Sequence, residues 1–248
     1  MRIIAAFILF VVTSACTNKA SQNEHQEVDI KSVKMPEPLM PDEILNVGFL
    51  IVDGVYNSEL VAPMDILHHT VFHAEKGMKV FTVAPSLEPI ITFEGLRITP
   101  DYSYMSDSLP DIDVLVVASA EHSMDSDLEN EQLISFVKRS GESAMYIMSL
   151  CDGAFVLAKA GLVDGKESTT FPSDIDRYAE TFPDLKVHRG VSFVHDGKLI
   201  TSVGGAKSYD PALYLSELLY GNKAAIGIGK GLVIDWDIND IQYVKVDR

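Results

Sequence analysis

One cysteine, Cys151, stands where a predicted strand gives way to a predicted helix. The apolar run AMYIMS (144–149) precedes it, and the helix-like segment GAFVLAKAGL (153–162) follows it. A tight turn at that point exposes the sulfur, and the unpaired N–H groups at the start of a helix favour a thiolate. The backbone N–H groups of Asp152 and Gly153 would point to where an oxyanion forms on a substrate. The pattern predicts a nucleophile, with a buried structural cysteine as the alternative.

A second group that could do chemistry is the carboxyl of Glu59, which follows the first predicted strand in SELVAPMDIL (58–67). The carboxyl ends of parallel strands share one edge of a sheet, so Glu59 and Cys151 should lie close together. Burial there would raise the pKa of the Glu59 carboxyl, which could then donate a hydrogen bond to a thiolate or transfer a proton. We therefore expect a thiol pKa below the free value of about 8.5. A Glu59 that caps its helix and faces solvent is the alternative.

The elements that must position these groups alternate along the chain. Apolar runs predict strands at 45–52, 78–84, 113–119 and 144–149, and helical spacing predicts helices over 58–76, 128–141, 153–162 and 210–221. A hairpin is predicted at 89–103 around Glu94-Gly95, and two or three strands at 185–203 turning at Asp196-Gly197. Continuous apolar strands between helices favour an α/β fold with a mainly parallel sheet and helices on both faces.

The first sixteen residues, MRIIAAFILFVVTSAC, are typical of a secretory signal. Arg2 precedes an apolar run at 3–12, which is too short to span a bilayer. The small residues before Cys16 resemble a bacterial lipobox, in which the chain is cleaved after Ala15 and Cys16 carries lipid. This reading predicts a lipid-anchored protein of the cell envelope, at the outer membrane or facing the periplasm. An ordinary signal peptide with an incidental cysteine is the alternative.

Composition divides the chain into three segments. We interpret residues 1–15 as a lipoprotein signal peptide, the polar residues 16–44 as a flexible tether and residues 45–248 as one folded domain. The 27 residues after Gly221 are too few for a further domain, so a C-terminal helix-turn-helix pair is not expected.

The net charge and the cysteine count each exclude one kind of interaction. The formal net charge of −16 would repel nucleic-acid phosphates, so we expect no nucleic-acid partner. If Cys16 carries lipid, Cys151 is the remaining thiol of the two cysteines, and no intramolecular disulfide can form. A lone cysteine in an oxidising compartment is a liability unless it is buried or used.

Three segments resemble the signature segments of the ThiJ/PfpI superfamily: ELVAPMDIL (59–67), SLCDGAFVLAKAGLVDGKESTT (149–170) and LITSVGGAKSYDPALYL (199–215). The resemblance covers about residues 46–236 and favours the isonitrile-hydratase-like or AraC-amidase-like branch. It implies a flavodoxin-like fold of the class I glutamine amidotransferase type and homodimers in many members. It also implies a strained nucleophile at Cys151, with the carboxylic acid of Glu59 hydrogen-bonded to the sulfur.

This sequence departs from the family pattern at three places. Phe171 stands where many members have a histidine, and would make the pocket more apolar. Ser119 and Ala120 stand where many have two glycines, so their loop would have to supply the oxyanion N–H groups. Asp152 follows the cysteine; its charge opposes a thiolate unless the side chain turns to solvent, although aspartate suits a helix start. His122 could reach the pocket mouth, with a surface histidine as the alternative.

These residues predict a cysteine-dependent enzyme that acts on a small electrophile, such as an isonitrile, an α-oxoaldehyde or an acyl group. A redox sensor in which Cys151 is oxidised, and a ligand-binding module without catalysis, are the alternatives. We expect no cofactor and no metal. His69 and His73 have the i, i+4 spacing of a zinc motif but lack its glutamate.

Overall fold

The apolar runs form the middle of an eight-stranded sheet in the computed structural model, which describes residues 35–247. The strands of this part are β1 (Asn46–Leu50), β2 (Lys79–Ala84), β3 (Ile90–Ile91), β4 (Arg97–Ile98), β5 (Tyr102–Ser103), β6 (Val114–Val117), β7 (Tyr146–Leu150), β8 (Glu167–Ser168), β9 (Lys186–Val187), β10 (Phe193–Asp196), β11 (Leu199–Ser202) and β12 (Tyr243–Val246). The main sheet has the order β12-β10-β11-β7-β6-β1-β2-β5. Its neighbours are parallel except β10 and β11, which form the predicted antiparallel turn at Asp196-Gly197.

Helices cover both faces of this sheet. They are α1 (Asn57–His69), α2 (Glu131–Ser143), α3 (Gly153–Lys159), α4 (Ile175–Thr181), α5 (Tyr209–Tyr220) and α6 (Asn222–Gly231). One apolar cluster joins the sheet to α1, α5 and α6, with Phe49 and Tyr214 fully buried in it. A second joins the other face to α2, α3 and α4, with Leu115 and Phe155 at its centre. The predicted α/β fold with a mainly parallel sheet is confirmed.

Several helix ends differ from the sequence prediction; helix α3, for example, ends at Lys159 rather than Leu162. Helix α1 ends at His69 rather than Lys76, because the Thr70 hydroxyl donates to the Leu67 carbonyl at 2.7 Å and accepts from the Met78 N–H at 2.8 Å. These bonds turn the chain into β2. Helix α2 runs through the buried Gly141, which the sequence suggested as its end, and stops at Ser143.

The last residues of the predicted tether lie against the domain. The N–H groups of Leu39 and Met40 donate to the carbonyls of Leu218 and Leu219, at 3.2 and 2.8 Å. Those carbonyls belong to the last turn of α5, where carbonyls lack an intrahelical partner. The predicted signal peptide and Cys16 lie outside the described residues. Within residues 35–247, no helix is long and apolar enough to cross a membrane.

Helix α3 starts so close to β6 that only glycine fits at its first position. A Cβ on Gly153 would lie 2.3 Å from the carbonyl oxygen of Val117. This contact is with backbone, so a side chain could be admitted only by moving the helix away from the strand. Gly153 therefore sets where α3, and with it the turn at Cys151, lies against the sheet.

We predict that Gly153→Ala lowers the free energy of unfolding by about 2 kcal/mol or more, because the added methyl overpacks a backbone contact. Gly231→Ala is the matched control, since no heavy atom lies within 4 Å of the Cβ it would add at the end of α6. Urea unfolding of both variants measures the difference. A Gly153→Ala protein as stable as Gly231→Ala would contradict this packing.

Candidate active site

Cys151 has a backbone conformation that few residues with a side chain adopt. Strand β7 ends at Leu150, and Cys151 has φ of 52°, which costs about 1–2 kcal/mol for a residue with a Cβ. Its N–H donates to the Ser202 carbonyl at 3.0 Å, and its carbonyl accepts from the Thr170 hydroxyl at 3.0 Å. Neighbouring strands and loops thus hold the strained turn. Strain held in this way is characteristic of functional positions.

The Glu59 carboxyl is buried beside this turn, with only 3% of the residue exposed. Its Oε1 accepts the Gly205 N–H at 2.5 Å, and its Oε2 accepts the Ser208 hydroxyl at 3.2 Å. Burial raises the pKa of Glu59, an effect that these two donors partly offset. The alternative that Glu59 caps α1 and faces water is therefore excluded.

Gly204 lies between the side chains of Glu59 and Cys151, and because it has no Cβ the two can come close together. A Cβ there would lie 2.5 Å from Cys151 Cβ and 2.6 Å from Glu59 Oε2, and its φ of 73° also favours glycine. Glu59 and Cys151 thus flank the same backbone atom, as their positions after parallel strands predict. The expected hydrogen bond between the Glu59 carboxyl and the sulfur is not among the contacts of the described residues. Both Glu59 oxygens face the Gly205–Ser208 turn instead.

The thiol contacts the neighbouring Asp152. Cys151 Sγ lies 3.6 Å from Asp152 Oδ2, and the Thr170 hydroxyl lies 3.0 Å from Asp152 Oδ1. Asp152 is 7% exposed, so the expectation that it could turn to solvent is wrong. Nor does its side chain cap α3. Burial, and next the negative charge of Asp174, raise the pKa of Asp152 to about 6.

The predicted low thiol pKa is also wrong. Burial raises the pKa of Cys151 above its ordinary value, and the charges of Asp152 and Glu59 raise it further. The Ser119 hydroxyl and the Asp152 backbone N–H lower it, but by less. Proximity to a helix start therefore does not dominate here, because a short helix cannot compensate for desolvation and two adjacent carboxyls. The resting thiol is protonated and directs its proton towards Asp152.

The Ser119–Ala120 loop lies at the site but differs from the expected oxyanion hole. The Ala120 N–H donates to the Ser123 hydroxyl at 2.9 Å and is therefore occupied. The Ser119 hydroxyl is fully buried, has no geometric hydrogen-bond partner in the described part of the chain, and lies close enough to Cys151 to lower its pKa. Ser119 can thus supply a side-chain donor where the sequence suggested backbone donors.

Two further predicted residues lie at the periphery. The imidazole Nδ1 of His122 is 3.3 Å from Asp125 Oδ1, and half of the His122 side chain is exposed, as the surface alternative predicts. Phe171 directly follows Thr170, which binds the Cys151 carbonyl, and it is 38% exposed. No group of three histidine, cysteine, aspartate or glutamate side chains within residues 35–247 is arranged to hold a metal ion.

Two surface cavities lie along helix α6 and away from this site. The larger one described, of about 640 Å³, is an open groove along α6 that includes His73, Tyr220 and Lys230. Cys151 is 7% exposed, so little of this residue is open to solvent.

Comparison with known proteins assigns this arrangement to a family. The sequence model of the DJ-1/PfpI family matches residues 46–218. This chain belongs to the DJ-1/PfpI family. It is 30% identical over 178 residues to isonitrile hydratase of Pseudomonas putida, which covers 71% of this chain and 73% of that protein.

Other relatives differ in kind from that hydratase. The transcriptional regulator CdhR of Pseudomonas aeruginosa is 31% identical over 102 residues, which are 41% of this chain and 30% of the regulator. The crystal structure of DJ-1beta from Drosophila melanogaster superimposes with a TM-score of 0.68 at 23% identity, over 78% of this chain and all of that one. The predicted family is thus confirmed, and its members do not share one activity.

Sequence reasoning missed several partners of the DJ-1/PfpI site. Thr170 and Ser208 lie inside the quoted signature segments, but nothing in the sequence says that their hydroxyls bind Asp152 and Glu59. Asp174, which raises the pKa of Asp152, gives no signal at all, since it follows the cysteine by more than twenty residues. The glycine pair at 204–205 was the available clue, because it suggested a close backbone approach.

We predict that Asp152→Asn stabilises the protein at neutral pH. A carboxyl whose pKa is about 6 when folded and about 3.9 when unfolded gives stability that is present below the unfolded pKa and is lost as pH rises through the folded one. The variant has no such loss, so its free energy of unfolding at about pH 7.5 should exceed that of the wild type by about 1–3 kcal/mol. The gap should close as pH falls to about 3, because the folded and the unfolded forms of both proteins are then largely uncharged at this position.

Urea unfolding at both pH values measures this difference, with Asp107→Asn as the control at an exposed loop aspartate. An Asp152→Asn protein that is no more stable than Asp107→Asn at neutral pH would mean that folding does not raise the pKa of Asp152.

Proposed function

We propose that this DJ-1/PfpI protein is a cysteine-dependent enzyme that acts on a small electrophile, most simply by adding water to an isonitrile to give a formamide. The observation that carries the proposal is the strained Cys151, whose thiol faces the Asp152 carboxyl while the buried Glu59 carboxyl lies across Gly204. The similarity to isonitrile hydratase supports isonitrile hydration over a reaction with an α-oxoaldehyde or an acyl group.

Asp152 is the group placed to activate the nucleophile. As Sγ attacks the terminal isonitrile carbon, the thiol proton passes to Asp152 Oδ2, 3.6 Å away. A base with a pKa of about 6 is largely ionised at neutral pH, yet still basic enough to take a proton in the transition state. The thiol therefore does not need a low pKa, because it is deprotonated only when a substrate is attacked.

Glu59 is the group placed to supply the second proton. Its pKa is raised by burial, and the Gly205 N–H and Ser208 hydroxyl hold its orientation. It donates a proton to the carbon that receives the sulfur, which gives a thioimidate. Water then adds to this carbon and returns a proton to Glu59, while Asp152 protonates the nitrogen.

Release of the product restores the resting site. The carbon–sulfur bond breaks as the new hydroxyl becomes the formamide carbonyl, and its proton returns to the sulfur. Asp152 is again a carboxylate and Glu59 again a carboxylic acid, so atoms and charges balance over the cycle. The unpartnered Ser119 hydroxyl and the Asp152 N–H are the donors available for charge that develops near the sulfur.

The high thiol pKa weighs against the redox-sensor alternative, because oxidation by peroxide requires a thiolate. A ligand-binding module without catalysis remains the competing function. We further propose that the enzyme is held at the cell envelope by lipid on Cys16. The support for this is the small-residue run that precedes Cys16 in the sequence.

We predict turnover of isonitriles in a screen that also includes α-oxoaldehydes and simple amides. The assays use a Cys16→Ser background, which leaves Cys151 as the sole thiol and should itself move the protein from the membrane to the soluble fraction. Cys151→Ser should abolish turnover, and Glu59→Gln should lower kcat by about 10²-fold or more. For the active protein, kcat/KM should fall as pH drops through about 6, because protonated Asp152 cannot accept the thiol proton.

Asp152→Asn should remove this acidic limb, whereas Asp107→Asn should retain it. Turnover that survives in Cys151→Ser would contradict the proposal. Ligand binding without turnover, equal in the parent and Cys151→Ser, would favour the binding module.

A further inference from the structure

Two aromatic rings stand together beside the loop that carries Ser119. Tyr56 and Phe93 have ring centroids 4.8 Å apart at an interplanar angle of 43°. Tyr56 comes from the loop after β1, where its N–H donates to the Ser119 carbonyl at 3.1 Å. Phe93 comes from the β3–β4 hairpin, and 55% of it is exposed, although large aromatic side chains are usually buried. The hairpin thus holds an aromatic surface against the loop that carries the site.

Two carboxylates join these rings. Glu94 follows Phe93, and its Oε2 accepts the Asn57 N–H at 3.1 Å. Glu121 lies against Gly54, whose carbonyl accepts the Glu121 N–H at 3.0 Å. We call Tyr56, Phe93, Glu94 and Glu121 the site mouth. Both glutamates are exposed.

The mouth and the catalytic floor share one electrostatic field. Burial raises the pKa of Tyr56 most, and the acidic groups of Cys151, Glu121, Asp152 and Glu94 raise it further, so this phenol lies near both the mouth and the Cys151 turn. All of these groups are acidic. Of the basic side chains on the surrounding loops, His122 lies 3.3 Å from Asp125 and Lys207 lies 3.5 Å from Asp210. Arg97 is exposed on β4, across the hairpin from Ile91.

A hydroxyl next to the thiol is a further polar group at the floor of the site. The Ser119 hydroxyl is fully buried next to the thiol, yet it has no geometric hydrogen-bond partner in the described part of the protein. Buried hydroxyls are normally satisfied, and one left open beside a strained nucleophile is ready to bind a substrate atom. The site thus combines an open donor at its floor with aromatic rings and carboxylates at its mouth.

We infer that the substrates of this enzyme are small organic cations. An ammonium group would lie against Tyr56 and Phe93 between Glu94 and Glu121, and the reactive carbon would extend to Cys151. Aromatic faces attract ammonium groups, and a cleft of one charge sign raises the local concentration of the opposite ion. Anionic electrophiles would be repelled at the same opening. This inference rests on the proposed function, because it assigns a substrate class to the same site.

Charged thiol reagents test the inference without a known substrate. Methanethiosulfonates transfer their thioalkyl group to a cysteine: Sγ attacks the divalent sulfur, a disulfide forms, and methanesulfinate leaves with the electron pair of the broken sulfur–sulfur bond. The trimethylammonium-ethyl reagent is cationic, the sulfonatoethyl reagent is anionic, and methyl methanethiosulfonate is neutral. Rates on the full chain with Cys16→Ser, each divided by the rate of free cysteine, report the charge preference of the opening.

We expect the normalised rate of the cationic reagent to exceed that of the anionic one by about tenfold or more at low salt, and the ratio to shrink as salt is added. The double variant Glu94→Gln, Glu121→Gln should lower the ratio severalfold. Glu75→Gln is the matched control, since this exposed glutamate precedes β2 and so lies at the opposite edge of the sheet.

The outcomes separate the inference from the proposed function. A ratio near one, with ready modification by the neutral reagent, would overturn the cationic substrate class and leave the nucleophile intact. Failure of even the neutral reagent to modify Cys151 would overturn both. A high ratio that the double variant leaves unchanged would contradict the role of the mouth.

Discussion

The burial of three ionisable side chains in one small volume is the constraint on which this site depends. Cys151, Asp152 and Glu59 cannot all be charged there, because each charge lacks water and opposes its neighbours. As a result, the thiol is protonated, and the pKa values of both carboxyls are raised. The same conflict that costs stability raises the pKa of both carboxyls above their ordinary values, as is common at functional sites.

Backbone geometry makes this crowding possible. Gly204 lets the chain pass between Glu59 and Cys151, and Gly153 lets α3 start directly against β6. The positive φ of Cys151 then directs its side chain into the space that these glycines leave open. The site lies at the edge of the sheet where the parallel strands β1, β7 and β11 end, and these strands fix the positions of its loops. Without these close approaches the three acids would separate, and their pKa values would return towards ordinary ones.

The sequence predicts the fold, the family and the meeting of Glu59 with Cys151, because the alternation of strands with helices and the placement of glycines are local patterns. It does not predict the sign of the thiol pKa shift. That sign depends on whether Asp152 faces solvent or sulfur, which Thr170 and the distant Asp174 decide through tertiary contacts. The missed role of Ser119 has the same origin, because the occupied Ala120 N–H is visible only once Ser123 lies beside it. Local patterns thus locate the site, whereas side-chain contacts across loops set its chemistry.

The most direct test of this account is the pKa of the Cys151 thiol itself. Thiolate absorbs in the ultraviolet, so a pH titration of the Cys16→Ser protein, with Cys151→Ser subtracted, measures it. The account predicts a midpoint above the free-thiol value of about 8.5, and a lower midpoint when Asp152→Asn removes the adjacent charge. A midpoint at or below the free-thiol value in the parent protein would contradict the central claim that Cys151 rests as a protonated thiol directed at Asp152.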